Sequence, residues 1–189
     1  MRAVFHGELE QLGVELATMC GLAADAMEKA TRALLRSDLV LAEQVISDDE
    51  GLDAAQARCE EHAFVLLSLQ APVARDLRLV VSAIQAAEKI EQMGDLARHV
   101  AELTRRRHPA CAVPADLAGQ FGEMARLAVA SARRVQHIIA APVEEHCTEQ
   151  DRADDRIDEL HREILNAVNG GVSGCSVRDG VDVALPAGR

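Results

Sequence analysis

Gln70-Ala71-Pro72-Val73-Ala74-Arg75-Asp76-Leu77-Arg78 decides how this chain folds. It is a proline-centred break between two long runs of helical periodicity. Proline drives the residue before it out of helical geometry, yet is welcome at a helix start. One helix therefore closes before Pro72 and another opens after it, running to about Arg107. In the opening helix Leu79, Ala83, Ala86, Ile90, Met93, Ala97 and Val100 recur at alternating spacings of four and three. That is the seam of a helix packed in a bundle. Arg105, Arg106 and Arg107 end it, where cations complement the helix dipole. A charge run there reads as a solvated helix end rather than a docking patch.

The same periodicity extends outward in both directions. Leu41, Val45, Leu52, Ala55, Cys59, Ala63 and Leu66 mark a helix before the break. Ser37-Asp38 is the turn and N-cap signal that opens it. Phe5, Leu9, Leu12, Leu16, Met19, Ala23, Ala26, Ala30 and Leu34 mark another before that. Three long segments joined by tight turns must run up, down and up. Downstream, residues 108–114 hold two prolines and read as a linker. A fourth helix is predicted over about 116–140 and a fifth over about 143–168, entered through Pro142. Beyond Asn169, Gly170, Gly171, Gly174, Gly180, Gly188 and Pro186 disfavour a helix.

The two halves align without a gap at an offset of 105: Met19 falls on Met124, Leu22 on Leu127, Ala23 on Ala128, Leu34 on Ile139, Leu52 on Ile157 and Asp53 on Asp158. Agreement across two helices and their turn points to a duplicated unit. The expected fold is all-α, two tandem antiparallel three-helix bundles, the second lacking most of its third helix. The first unit covers 1–107, the linker 108–114, the second unit 115–168 and an irregular tail 169–189.

Composition agrees. Aromatic residues are 2% and hydrophobic residues 49%, so the core is aliphatic, which suits helix-on-helix packing better than a sandwich or barrel. A net charge of −11 excludes sequence-independent nucleic-acid binding and disfavours an anionic membrane face. The five cysteines are scattered and never paired as CxxC, which points to reduced buried thiols rather than a disulfide framework or zinc site. No run resembles a signal peptide or approaches the roughly 18 apolar residues of a spanning helix, so the cytoplasm is the expected compartment. No glycine-rich phosphate loop, G-x-S-x-G or H-E-x-x-H appears, and no enzymatic activity is expected.

Three carboxylate pairs stand four residues apart: Asp49 with Asp53, Glu91 with Asp95, and Asp154 with Asp158. Such pairs are neighbours on a helix face and repel one another. They are either solvated faces or half-sites for a hard cation, which takes carboxylate oxygens. Along the third helix Leu77 and Ile84 share a heptad position with Glu91, and Asp95 and His99 follow one turn apart. A di-iron bundle protein, a storage protein or oxidase, is the alternative reading. It needs paired Glu-x-x-His motifs, and Asp158-x-x-His161 is the nearest approach.

The 70–78 junction, together with Ile90-Glu91-Gln92-Met93-Gly94-Asp95-Leu96-Ala97, resembles the helix junction and ExxxD signature of the PhoU family, over roughly residues 1–168. The resemblance implies six helices in two three-helix bundles and a non-enzymatic adaptor of phosphate transport. It implies a link between the phosphate ABC transporter ATPase and a membrane sensor histidine kinase, and repression of the phosphate-starvation response. It also implies a homodimer, a cytoplasmic protein with peripheral contact to membrane complexes, and iron or zinc clusters, divalent or ferric, on the ExxxD faces. On this chain those faces are Glu91, Asp95, Asp49 and Asp53, with Asp154 and Asp158 in the second unit. Gly180–Leu185 resembles the approach to a second signature, but Pro186 and the chain end follow. A truncated or frame-shifted form is therefore expected, with the second metal face incomplete.

Overall fold

A computed structural model describes residues 2–141 and 144–169; residues 2–4, 70, 144–151 and 169 are described as backbone only. Among the described residues there are five α-helices: α1 (Arg2–Arg36), α2 (Leu39–Gln70), α3 (Arg75–Arg107), α4 (Ala118–Ala140) and α5 (Glu144–Asn169). Helices α1, α2 and α3 each pack against the other two, α4 packs on α1, and α5 packs on α4.

The local signals act where the sequence puts them. The Asp38 side chain accepts the Leu41 amide at 3.0 Å, satisfying one of the orphan donors at the start of α2. Arg105, Arg106 and Arg107 lie in the last turn of α3. The α2–α3 junction turns on two alanines with positive φ, Ala71 (40°) and Ala74 (52°), on either side of Pro72. A side chain in the left-handed region costs roughly 1–2 kcal/mol, a cost that Ala71 bears at the end of α2. The linker is tied to the α1–α2 turn: the His108 ring meets the Ser37 carbonyl at 3.1 Å and Ser37 Oγ lies 3.5 Å from the Cys111 thiol. Ala112 and Val113 are buried beneath it.

The predicted seams of α1 and α2 are in the core, with Leu9, Ala26 and Leu41 at its edge. The seam of α3 is kept in part: Ala83, Ile90 and Ala97 are buried as expected, but the other half shifts by one residue. Val80, Ala87, Gly94 and Ala101 are buried, whereas Leu79 is 48% exposed and Ala86, Met93 and Val100 flank the core. The reason is steric. Where α3 meets both α1 and α2, small residues let the helix axes approach, and the larger neighbours are turned to the margins.

Helices α1 and α4 run antiparallel. Gly21 faces Gln136, Arg133 reaches both the Gly21 carbonyl and Asp25, and Gly122 faces Leu35. That register puts Ala26 opposite Ser131, positions related by the 105-residue offset (26 + 105). The two equivalent helices thus meet about their own centre, as a two-fold arrangement of duplicated units requires. The expectation that the second unit lacks most of its third helix concerns residues outside the described ones; among the described residues that unit holds α4 and α5.

Candidate functional site

The site is built where α2 and α3 lie closest. Gly94 faces Leu52, and a Cβ at Gly94 would collide with Leu52 Cδ2 and stand 3.8 Å from Asp49 Oδ1. Its missing side chain lets the two helices close. Closure brings the α2 pair, Asp49 and Asp53, against the α3 pair, Glu91 and Asp95. Burial raises the proton affinity of Glu91, and the charges of Asp95, Asp53 and Asp49 raise it further. Asp49 is raised likewise, first by burial and then by Asp53, against the opposing pull of Arg98. These are two carboxylates held in excess negative charge.

Arg98 is the counter-ion. Its Nε lies 2.7 Å from Asp49 Oδ2, one terminal nitrogen 2.7 Å from Asp95 Oδ1, and the other 2.8 Å from Glu102 Oε1. The bonds to Asp95 and Glu102 hold its proton more firmly, that to Asp95 most of all. Asp49 is mostly buried, its side chain 12% exposed. Asp53 and Glu91 make no ion pair among the described residues. One guanidinium thus serves three of five carboxylates, and the groove stays strongly negative.

Such a donor set suits a hard cation, since ionised carboxylates are acceptors only. Among the described residues no three carboxylate, imidazole or thiolate groups already converge at metal-binding spacing. A metal ion would have to draw Asp49 and Asp95 away from Arg98. His99, placed by spacing one turn beyond Asp95, is exposed; the residue that faces the cluster is Arg98. Sequence reasoning missed Arg98 and Glu102, although an arginine three residues after Asp95 and four before Glu102 is the spacing of helix ion pairs.

The third pair lies apart. Asp154 and Asp158 are exposed on α5. The neighbouring Arg156 turns instead to Glu123, Glu159 and Glu163, at 3.1–3.3 Å. His161 lines an apolar cleft between the two units, together with Met27, Leu34, Leu103, Phe121 and Ile157, so Asp158 and His161 do not form a ligand pair. Of the thiols, Cys20 and Cys59 are buried and burial pushes each up to about 11. Cys111 is exposed, contrary to the reading of all five as buried. The side chains of Cys147 and Cys175 lie outside the described residues.

The buried interior is apolar, its polar members being Thr104 and Ser131 among the described residues. The charge lies in an outer groove. The molecule is thus a helical-bundle protein of tandem units, with its distinctive chemistry between the second and third helices of the first unit. The PhoU domain family matches residues 16–104. The chain is 48% identical over 185 residues to the phosphate-specific transport system accessory protein PhoU homolog 2 of Mycobacterium tuberculosis, covering 98% of this chain and 87% of that protein. It is 46% identical to PhoU homolog 1 of Mycobacterium leprae, over 98% of this chain and 83% of that one. The crystal structure of the phosphate transport system regulatory protein PhoU from Streptococcus pneumoniae superposes with a TM-score of 0.81 at 21% identity, covering 95% of this chain and 84% of that one. PhoU from Pseudomonas aeruginosa gives 0.79 at 20% identity, over 96% and 88%. The chain belongs to the PhoU family and has its all-α fold. Among the described residues no helix is long and apolar enough to cross a membrane.

Proposed function

We propose that this chain is an accessory adaptor of phosphate uptake that represses the phosphate-starvation response. It acts in the cytoplasm, as a homodimer, between the phosphate ABC transporter ATPase and a sensor histidine kinase. Identity of 48% to a phosphate-specific transport system accessory protein, across 98% of the chain, carries the reading. That relative is named as an accessory protein of a transport system, which supports an adaptor. The apolar interior gives no support to the di-iron storage or oxidase alternative, whose ligands project into the bundle. Deleting the gene should raise transcription of phosphate-regulated genes in phosphate-rich medium. Unchanged transcription would falsify the assignment.

The same reading assigns a hard cation, iron or zinc, to the α2–α3 groove. Asp49, Asp53, Glu91 and Asp95 would supply the oxygens, with Arg98 left to Glu102 once Asp49 and Asp95 turn to the metal. The observation behind it is the close approach of α2 and α3 at Gly94, which sets Asp49 beside the helix that carries Glu91 and Asp95; burial first and neighbouring carboxylates second raise the proton affinity of Glu91 and Asp49 there. Asp154 and Asp158 would be the corresponding half-site of the second unit, complete only when a second acidic helix faces them.

A further inference from the structure

We infer that the outer face of α2, near the α2–α3 turn, docks a basic amphipathic helix of a protein partner. Of ten large apolar side chains exposed on the described surface, seven fall between residues 64 and 81: Phe64, Val65, Leu69, Val73, Leu77, Leu79 and Val81. Val73 lies in the turn and Leu77, Leu79 and Val81 on α3, whereas Phe64, Val65 and Leu69 are on α2. Single exposed apolar residues need no explanation, but neighbours that share a groove, as Phe64 and Val65 do, mark a binding surface. Ala57, Glu60, Glu61, Phe64, Val65 and Ser68 line one shallow groove there. Their spacing of three and four puts them on one stripe of α2, turned away from the buried stripe of Ala55, Cys59, Ala63 and Leu66. A helix surface of this kind takes another helix by ridge-in-groove packing.

Charge decides what kind of helix. Glu60 accepts a bond from Gln56 at 3.0 Å, but neither Glu60 nor Glu61 has a cation partner among the described residues. Phe64, 59% exposed, lines the groove beside them, and a guanidinium or ammonium is favoured over an aromatic face. The complement is a helix with an apolar stripe flanked by arginine or lysine. An anionic bilayer would be repelled by the two glutamates and by the net charge of −11. The face is separate from the Asp49–Glu91 cluster. The inference deepens the adaptor reading and rests on it only for the existence of a protein partner.

The test uses the purified full chain and a fluorescein-labelled leucine–arginine amphipathic peptide, read by anisotropy against a leucine–glutamate peptide of the same apolar pattern. The basic peptide should bind and the acidic one should not. A Phe64→Ser, Val65→Ser double variant should weaken binding by about tenfold or more, as loss of a central anchor does. Glu60→Gln with Glu61→Gln should weaken it about three- to tenfold and flatten its salt dependence. Glu28→Gln with Asp155→Asn, which removes equal charge from other exposed positions, should change it by less than about twofold. Circular dichroism melts establish that the variants fold. Equal loss from the Glu28 and Asp155 changes, or none from the Phe64 and Val65 changes, overturns the proposal, because binding then follows overall acidity. So does sedimentation showing that Phe64→Ser turns a dimer into a monomer, since a second copy then covers the face. Failure of the gene-deletion test would remove the adaptor reading and leave the peptide result standing.

Discussion

Two regions of this molecule carry the same motif in different surroundings. On α2, Asp49 and Asp53 face a second acidic pair, Glu91 and Asp95, across a helix contact closed down by Gly94 and shared by Arg98. On α5, Asp154 and Asp158 stand in solvent, and the local arginine serves other glutamates. The difference teaches what an i, i+4 carboxylate pair is worth by itself. Alone it is a solvated surface; opposite a second pair, under partial burial, it becomes a charged site whose proton affinity is displaced. The helix that supplies the second pair makes the site.

The largest expected difference between the units is in packing. Leu52 and Ile157 are equivalent in the repeat, but Leu52 is 4% exposed against Gly94 while Ile157 borders the inter-unit cleft. Leu52→Ala should cost about 2–5 kcal/mol as a buried deletion, and Ile157→Ala about 1 kcal/mol or less. Urea unfolding of both variants checks this, and equal costs would mean that the second unit is packed as tightly as the first.

A smaller effect separates the units by pH. Cys20 and Cys59 belong to the main core of the first unit, and burial pushes both thiols up from their ordinary 9.0 to about 11. An acid raised in the folded state gives stability that is full below its unfolded pKa and lost as pH rises through the folded one. Stability should therefore fall between about pH 9 and 11, by about 2 kcal/mol per thiol. A Cys20→Ala, Cys59→Ala variant, measured by denaturation at both ends of that window, should lose most of the slope. An unchanged slope would place the alkaline transition elsewhere.

The smallest effect is at the site itself. Glu91 is raised by burial and by three neighbouring carboxylates, so its ionisation opposes folding near neutrality and that opposition disappears in acid. Glu91→Gln should stabilise the metal-free protein by up to about 1 kcal/mol, screened by partial exposure. Thermal melts at pH 7 and pH 4 should show the gain at the higher pH alone. Destabilisation at pH 7 would mean that Glu91 serves structure rather than a ligand.

Much of this was legible in the residues. Pro72, Ser37-Asp38 and Arg105–Arg107 mark helix ends that the structure keeps within a few residues. The four first-unit carboxylates were visible as pairs, and the structure brings those pairs together. What spacing showed only in part was which side chains the third helix buries. The four–three spacing selects Ala83, Ile90 and Ala97, which α3 does bury, together with Leu79, Ala86, Met93 and Val100; close packing buries Val80, Ala87, Gly94 and Ala101 in place of those four. The same closeness makes Gly94 the contact on which the site is built, although in the sequence it is only a poor helix former. Arg98 was hidden because a search for anionic ligands passes over the cation that holds them.

The central claim is that the α2–α3 groove of the first unit, and not the α5 pair, holds a cation. Equilibrating the full chain with ferric iron or zinc, desalting it and measuring bound metal by elemental analysis tests this most directly. Glu91→Gln with Asp95→Asn should abolish bound metal, while Asp154→Asn with Asp158→Asn should leave it near the wild-type level. Equal metal in all three proteins, or loss confined to the Asp154 and Asp158 changes, would contradict the account.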